Sequence, residues 1–515
     1  MNTVSSGLLF HGADWDFSTL QRIHDSCADI AVSELGLDTY PNQIEVITAE
    51  QMLDAYSSVG MPLYYKHWSF GKHFAHHEAF YRKGLRGLAY EIVINSSPCI
   101  SYLMEENTAT MQTLVIAHAA FGHNHFFKNN YLFKQWTDAE GILDYLSFAK
   151  NYVAYCEERH GRAAVERTLD AAHALMSHGV DRYPGKKKLD LPGEEKRARE
   201  RRVHAEASFN ELWQMVPTGP AKSTSDLDVE RRRALLGLPQ ENLLYFLEKS
   251  APRLHAWQRE LLRIVRHIAQ YFYPQGQTKV MNEGTATYVH YRIMNSLHQT
   301  GQISDGNFLE FLQSHTNVVF QPEFDDPRYA GFNPYAIGFA MMQDIERIVT
   351  EPQEEDRAWF PDIAGTGDTM GVLRHIWENY RDESFVSQFL SPSLMRRMRM
   401  FHLHDDPEET AGIRVDSIHD ERGYRRIRRA LARQYDIGSI EPNIEIVDVD
   451  LAGDRRLLLH HTVQDGALLS EVDARRVLQH LANLWSYDVM LREIDSTGTV
   501  LKEHVVVPHQ IAAAA

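Results

Sequence analysis

The chain carries Thr113-Leu-Val-Ile-Ala-His118-Ala-Ala-Phe-Gly122-His123-Asn-His125-Phe-Phe127, an apolar, helix-like run holding three imidazoles within eight residues. A second stretch, Val280-Met-Asn282-Glu283-Gly284-Thr-Ala-Thr-Tyr-Val-His290-Tyr291, opens with an acid and a glycine and sets a histidine seven residues after Glu283. Metal sites in hydrolases are commonly assembled from two such helices, one giving a histidine pair and the other a carboxylate. The two stretches predict a mainly α fold with a split metal site at its centre.

Helical geometry tests that reading. Residues on an α-helix advance about 100° each, so His118 and His125 share a face while His118 and His123 stand about 140° apart. The HExxH arrangement, with ligands four apart and a glutamate beside the first, is not present: position 119 is Ala and position 122 is Gly. His118 and His123 converge only if the helix is locally rewound, and a π-type bulge or terminal turn at Gly122 would do it. Glu283 and His290 lie on one helix face about 10.5 Å apart along the axis, so both can border one cleft. The expected ligands of a divalent metal, zinc for preference, are His118, His123 and Glu283, with His125 as an alternate. His290 is expected beside them as a catalytic or substrate residue, or as one that supports a ligand from behind. Glu105 and Glu106, just ahead of the His118 helix, are the nearest candidates for a general base, although they also suit a capped helix start. A carboxylate-rich alternative, Glu157, Glu158, His160, His173 and His178, lacks the ExxH pair that each helix of a di-metal bundle needs.

Working outward, Tyr90-Glu-Ile-Val-Ile-Asn95 and Ile100-Ser-Tyr-Leu-Met104 are β-prone runs around Ser96-Ser-Pro98, a hairpin placed just before the His118 helix. In several zinc hydrolases an edge strand beside the active-site helix pairs with extended substrate. Met61 to Glu78 is dense in aromatics and histidines and reads as a buried aromatic loop or a pocket lining. Lys186 to Arg202 mixes both charges densely and reads as an exposed insertion. Helices are expected over 142–155, 162–178, 257–273 and from Asn333-Pro onward. The arginines between 422 and 433 read as a solvated helix face. After Gly438 the texture changes to strand, strand, helix, strand, strand, a small α/β (ββαββ) unit. The division expected is a helical domain over 1–435 and a small domain over 436–510.

The 515 residues carry a formal charge of -17, which opposes broad nucleic-acid binding because phosphate contacts need a basic surface. Three scattered cysteines make neither a disulfide framework nor a metal knuckle, and no window of about 18 apolar residues could span a membrane. A cytoplasmic protein is expected.

At His118-Ala-Ala-Phe-Gly-His123-Asn-His-Phe-Phe-Lys-Asn-Asn130 and Asn282-Glu-Gly-Thr-Ala-Thr-Tyr-Val-His290 the sequence resembles the SpoVR family, the stage V sporulation protein R proteins. The likeness continues through Tyr90–Asn107, Gly179–Tyr183, Tyr271–Pro274 and Asn333–Phe339, nearly the whole chain. The resemblance implies a large domain followed by a small C-terminal one. It also implies a link to sporulation and spore cortex formation or, in bacteria that do not sporulate, to a stress response alongside a PrkA-type serine kinase and a von Willebrand-type protein. The 282–290 motif looks like the third-ligand helix of gluzincin-type peptidases, with Thr285 where tryptophan is commoner in the family. Two functions follow as expectations: a zincin-like metallohydrolase or degenerate relative, and a non-enzymatic scaffold in the kinase-linked pathway.

Overall fold

A computed structural model describes residues 7–57, 65–68, 91–182, 236–405, 412–450 and 453–509. The charged run 186–202, most of the aromatic run 61–78, Tyr90 and Tyr183 lie outside the described residues. The chain is mainly helical with small sheets, and its contacts divide it into two compact units, residues 1–150 with 274–437 and residues 151–273 with 438–515.

The first unit begins with helix α1 (Phe17–Ser33), whose Asp16 cap accepts from Thr19 N at 2.7 Å. Strand β1 (Asn42–Ile47) and helix α2 (Ala49–Ser57) follow. Strands β2 (Glu91–Ile94) and β3 (Cys99–Met104) are the expected hairpin, pairing antiparallel with Glu91 opposite Leu103. The sheet is larger than that hairpin, since β1 joins β3 in parallel, Asn42 opposite Cys99, giving the order β1-β3-β2. Central β3 is buried at every position, as its apolar run requires, and β2 is an edge.

Helix α3 (Ala109–Ile116), capped by Thr108, enters the core and continues without a break into a π-helix over Ala117–His123 and then helix α4 (Asn124–Asn129). Helices α5 (Lys279–Gln299), α6 (Asp305–Val318) and α7 (Pro334–Thr350) pack around it. Absent side chains make this packing close. A Cβ on Gly122 would stand 2.5 Å from Ala286 Cα, and one on Gly284 would stand 2.6 Å from Gly338 Cα. Glycine at 122 thus serves helix approach, a role that sequence alone had given to backbone freedom. Helix α8 (Asp382–Phe389) caps α5 from outside: the buried Asp382 carboxylate accepts from Val280 N and Met281 N, each at 2.8 Å. A hairpin of β4 (His402–Asp405) and β5 (Ile413–Ser417) lies beyond it.

In the second unit β6 (Ile444–Val449), β7 (Leu457–Thr462), β8 (Val489–Ile494) and β9 (Val500–Val506) form a sheet in that order. The outer pairs are antiparallel and β7/β8 is parallel, because the helix Glu471–Trp485 crosses between those two strands. Its inner face buries one carboxylate. Glu493, with no exposed surface, holds His504 Nε2 at 2.7 Å on Oε1 and accepts from Leu469 N at 2.9 Å on Oε2. Among the described residues no helix is long and apolar enough to cross a membrane.

Candidate metal centre

The π-helix settles the spacing problem. Its i→i+5 closure returns a residue five positions on to the face that an α-helix would have turned away, so His118 and His123 point the same way, ring centroids 4.6 Å apart. From α5, Glu283 Oε2 lies 3.8 Å from His118 Nε2 and 3.6 Å from His123 Nε2. From the β2 edge, Glu91 Oε1 lies 3.2 Å and 3.9 Å from the same two nitrogens. Glu91, His118 and His123 each offer a donor atom within 4.8 Å of the others, a grouping able to hold a metal ion. Ligands about 2.1 Å from a shared tetrahedral ion stand about 3.4 Å from one another, close to the four Glu–His spacings here.

The imidazoles are steered from behind. His123 Nδ1 donates to Asn282 Oδ1 at 2.9 Å, leaving Nε2 for the centre, and His118 Nδ1 stands 2.9 Å from His290 Nδ1. Tyr335 stacks on His118 with centroids 6.3 Å apart, and its phenol hydrogen-bonds Glu283. In the Asn282-Glu283-Gly284 triplet, one residue orients a histidine, one faces it and one lets α7 approach.

Burial sets the charge states. It drives the His123 cation down to a pKa of about 4, with the positive His118 beside it adding to the effect. Burial also opposes the His118 cation, yet the Glu91 and Glu283 carboxylates outweigh it and raise this histidine above its ordinary value. Glu283 is disfavoured by burial but held below the usual range by His118 and His123. Glu91 goes the other way, pushed up to about 7 by burial and by the Glu283 charge, against the pull of His118. Two buried atoms, His118 Nε2 and Glu283 Oε2, have no hydrogen-bond partner, and the Glu91 oxygen 3.2 Å from that Nε2 lacks the alignment of one. Orphaned donors of this kind, aimed at one point, fit a cation.

Other expected residues stand elsewhere. His125 points off the same helix towards the loop at Asp38, its Nδ1 3.0 Å from Asp38 N and its ring edge-on to Trp377. Burial lowers it to about 4. Glu105 and Glu106 sit on an exposed turn, where Glu106 accepts from Ala49 N at 3.4 Å. His290 touches the back of His118. Among the described residues no second grouping of three such donors meets, so Glu157, Glu158 and His160 form none. Glu91 was the residue missed: the signal was an acid opening an edge strand beside a histidine helix, read as a strand end only.

The family model described as SpoVR like protein matches residues 14–440, and that described as SpoVR-like C-terminal domain matches residues 442–496. The chain is 53% identical over 492 residues to a protein of Escherichia coli (strain K12) described as uncharacterized protein YcgB, covering 96% of this chain and 95% of that one. No solved structure matches.

Proposed function

Because the chain belongs to the SpoVR family, whose two models meet beside residue 441, we propose that its core is a zincin-like metal centre acting as a metal-dependent hydrolase, with the 436–510 segment as a separate small domain. The observation carrying this is the pair of buried, unpartnered donor atoms, His118 Nε2 and Glu283 Oε2, facing His123 and Glu91. A core of hydrophobic residues has no use for two unsatisfied polar atoms unless something else satisfies them.

His118, His123 and Glu283 would hold the ion, zinc for preference given two imidazoles and a carboxylate. Such an ion, when bound, acidifies water and polarises a carbonyl or phosphoryl group. Glu91 is assigned the base position or a fourth ligand position, in place of Glu105 and Glu106 on their exposed turn. A carboxylate 3.2 Å from His118 Nε2, beside the ligands, is placed to accept a proton. Asn282 holds His123 in the tautomer that leaves Nε2 bare.

Metal analysis of protein purified without a histidine tag tests the reading. Stoichiometric zinc that is lost in His118→Ala and in Glu283→Ala, while His125→Ala keeps it, is the expected outcome. Wild-type protein that takes up no divalent metal from buffered solution would end it.

A further inference from the structure

Three histidines from three different segments run in line behind the centre. His290 is 1% exposed and His315 5%. His290 uses both ring nitrogens: Nδ1 is 2.9 Å from His118 Nδ1, and Nε2 is 2.9 Å from His315 Nδ1. Phe311 and Phe339 pack around His315, with ring centroids at 5.6 Å and 4.8 Å, so the far end of the line sits in an apolar sleeve.

Each N···N contact is bridged by one proton, so His290, buried between two other imidazoles with a nitrogen in each contact, is set to donate to one and accept from the other as a neutral ring. A neutral imidazole has one donor and one acceptor nitrogen, so the line can run in only two directions. In one, His118 Nδ1–H donates to His290 Nδ1 and His290 Nε2–H donates to His315 Nδ1. In the other, every proton is reversed, His118 Nδ1 becomes an acceptor, and its proton must sit on Nε2, facing Glu91 and Glu283. Only the first direction lets Nε2 become a bare lone pair.

Resting on the metal-centre reading, we propose that His290 and His315 are positioning residues that lock His118 in its Nδ1–H tautomer, so that its Nε2 is available as a ligand. The lock is two residues deep. His315 never touches His118, but by accepting from His290 it fixes which nitrogen of His290 can accept from His118. With that direction set, loading the site needs no rearrangement behind His118.

The test uses full-length His290→Phe, His290→Gln and His315→Phe, with zinc affinity measured by chelator competition and histidine ¹⁵N shifts recorded on the metal-free protein. Phe fills the space without accepting, whereas the Gln carbonyl can accept from His118 Nδ1–H. His290→Phe should weaken zinc binding about 10- to 100-fold, the usual cost of losing such a partner. His290→Gln should recover most of that loss, His315→Phe should give a smaller loss at a distance, and thermal midpoints should identify any variant that fails to fold. In the wild type the His118 shifts should show a protonated Nδ1, changing in His290→Phe. A folded His290→Phe that binds zinc as the wild type does, or a folded His290→Gln that rescues nothing, overturns the lock. If the wild type binds no metal, the centre itself falls, and the ¹⁵N shifts alone then decide the tautomer: a His118 Nδ1 without its proton overturns the lock too.

Discussion

Two places among the described residues bury acid and histidine side chains together, and they differ in whether the bonding is finished. In the C-terminal sheet Glu493 has a partner on each oxygen, His504 and the Leu469 amide. At the metal centre Glu283 Oε2 and His118 Nε2 are equally out of water and have none. A completed pair has spent its polar capacity on the fold, and an incomplete one has kept it for something the fold does not supply. Residue type is the same in both places; what differs is that at the centre the unsatisfied atoms of a histidine and an acid face one another.

The comparison breaks most visibly if the completed pair is cut. Glu493→Ala leaves a buried imidazole and a part-buried backbone N–H without partners, and removing one member of such a pair costs about 3 to 5 kcal/mol. Urea melts should show that loss, and amide exchange should place it in β8 and β9. A loss under about 1 kcal/mol would mean that the pair does not hold the sheet. Next comes the framework of the incomplete cluster. Gly284→Ala puts a Cβ 2.6 Å from Gly338 Cα, between two backbones that cannot yield as a flexible side chain would. Overpacking of this kind costs about 1 to 3 kcal/mol, more than the helix propensity that alanine brings. Because Glu283 is the preceding residue, zinc affinity should fall with stability. Unchanged affinity would show that the centre tolerates a shifted α5.

Cutting the incomplete cluster should touch the fold less. Glu283→Gln in metal-free protein keeps the side chain's size but removes a charge that His118 and His123 favour, so stability should fall, by less than at Glu493. Zinc binding should be lost in the same variant. A large destabilisation of the metal-free protein would place Glu283 with Glu493, as a structural carboxylate.

Much of this was legible beforehand because its causes are local. The ββαββ order after Gly438 follows from alternation and turn residues, and the observed strands begin within about two residues of the expected ones. That His118 and His123 could meet only through a rewound helix followed from their spacing, and the π-helix supplies that rewinding. What stayed hidden depends on partners distant in sequence. Strand β1 is six residues long, and its reason to be a strand is the parallel register with β3. Glu91 looks like any acid at a strand start until the sheet sets it 3.2 Å from His118. Gly338 says nothing until Gly284 is known to lie against it.

The gentlest probe is pH, read on Glu91. The fold raises this carboxyl to about 7 from an ordinary 4.5, so between those values the folded chain binds more protons than the unfolded chain. Stability tied to Glu91 therefore falls as pH rises through that window. Its side chain keeps 17% exposure, so water screens part of the burial that raises it, and the effect is held to on the order of 1 kcal/mol. Metal-free wild type and Glu91→Gln should melt alike near pH 4.5, and the wild type should fall behind by pH 7.5. Zinc reverses the sign, because a cation beside the carboxylate draws its proton off, so the loaded wild type should gain on Glu91→Gln over the same range. A metal-free wild type that keeps pace with Glu91→Gln across the whole range would mean that Glu91 is ionised throughout and stands with the finished cluster, its charge already matched by the fold.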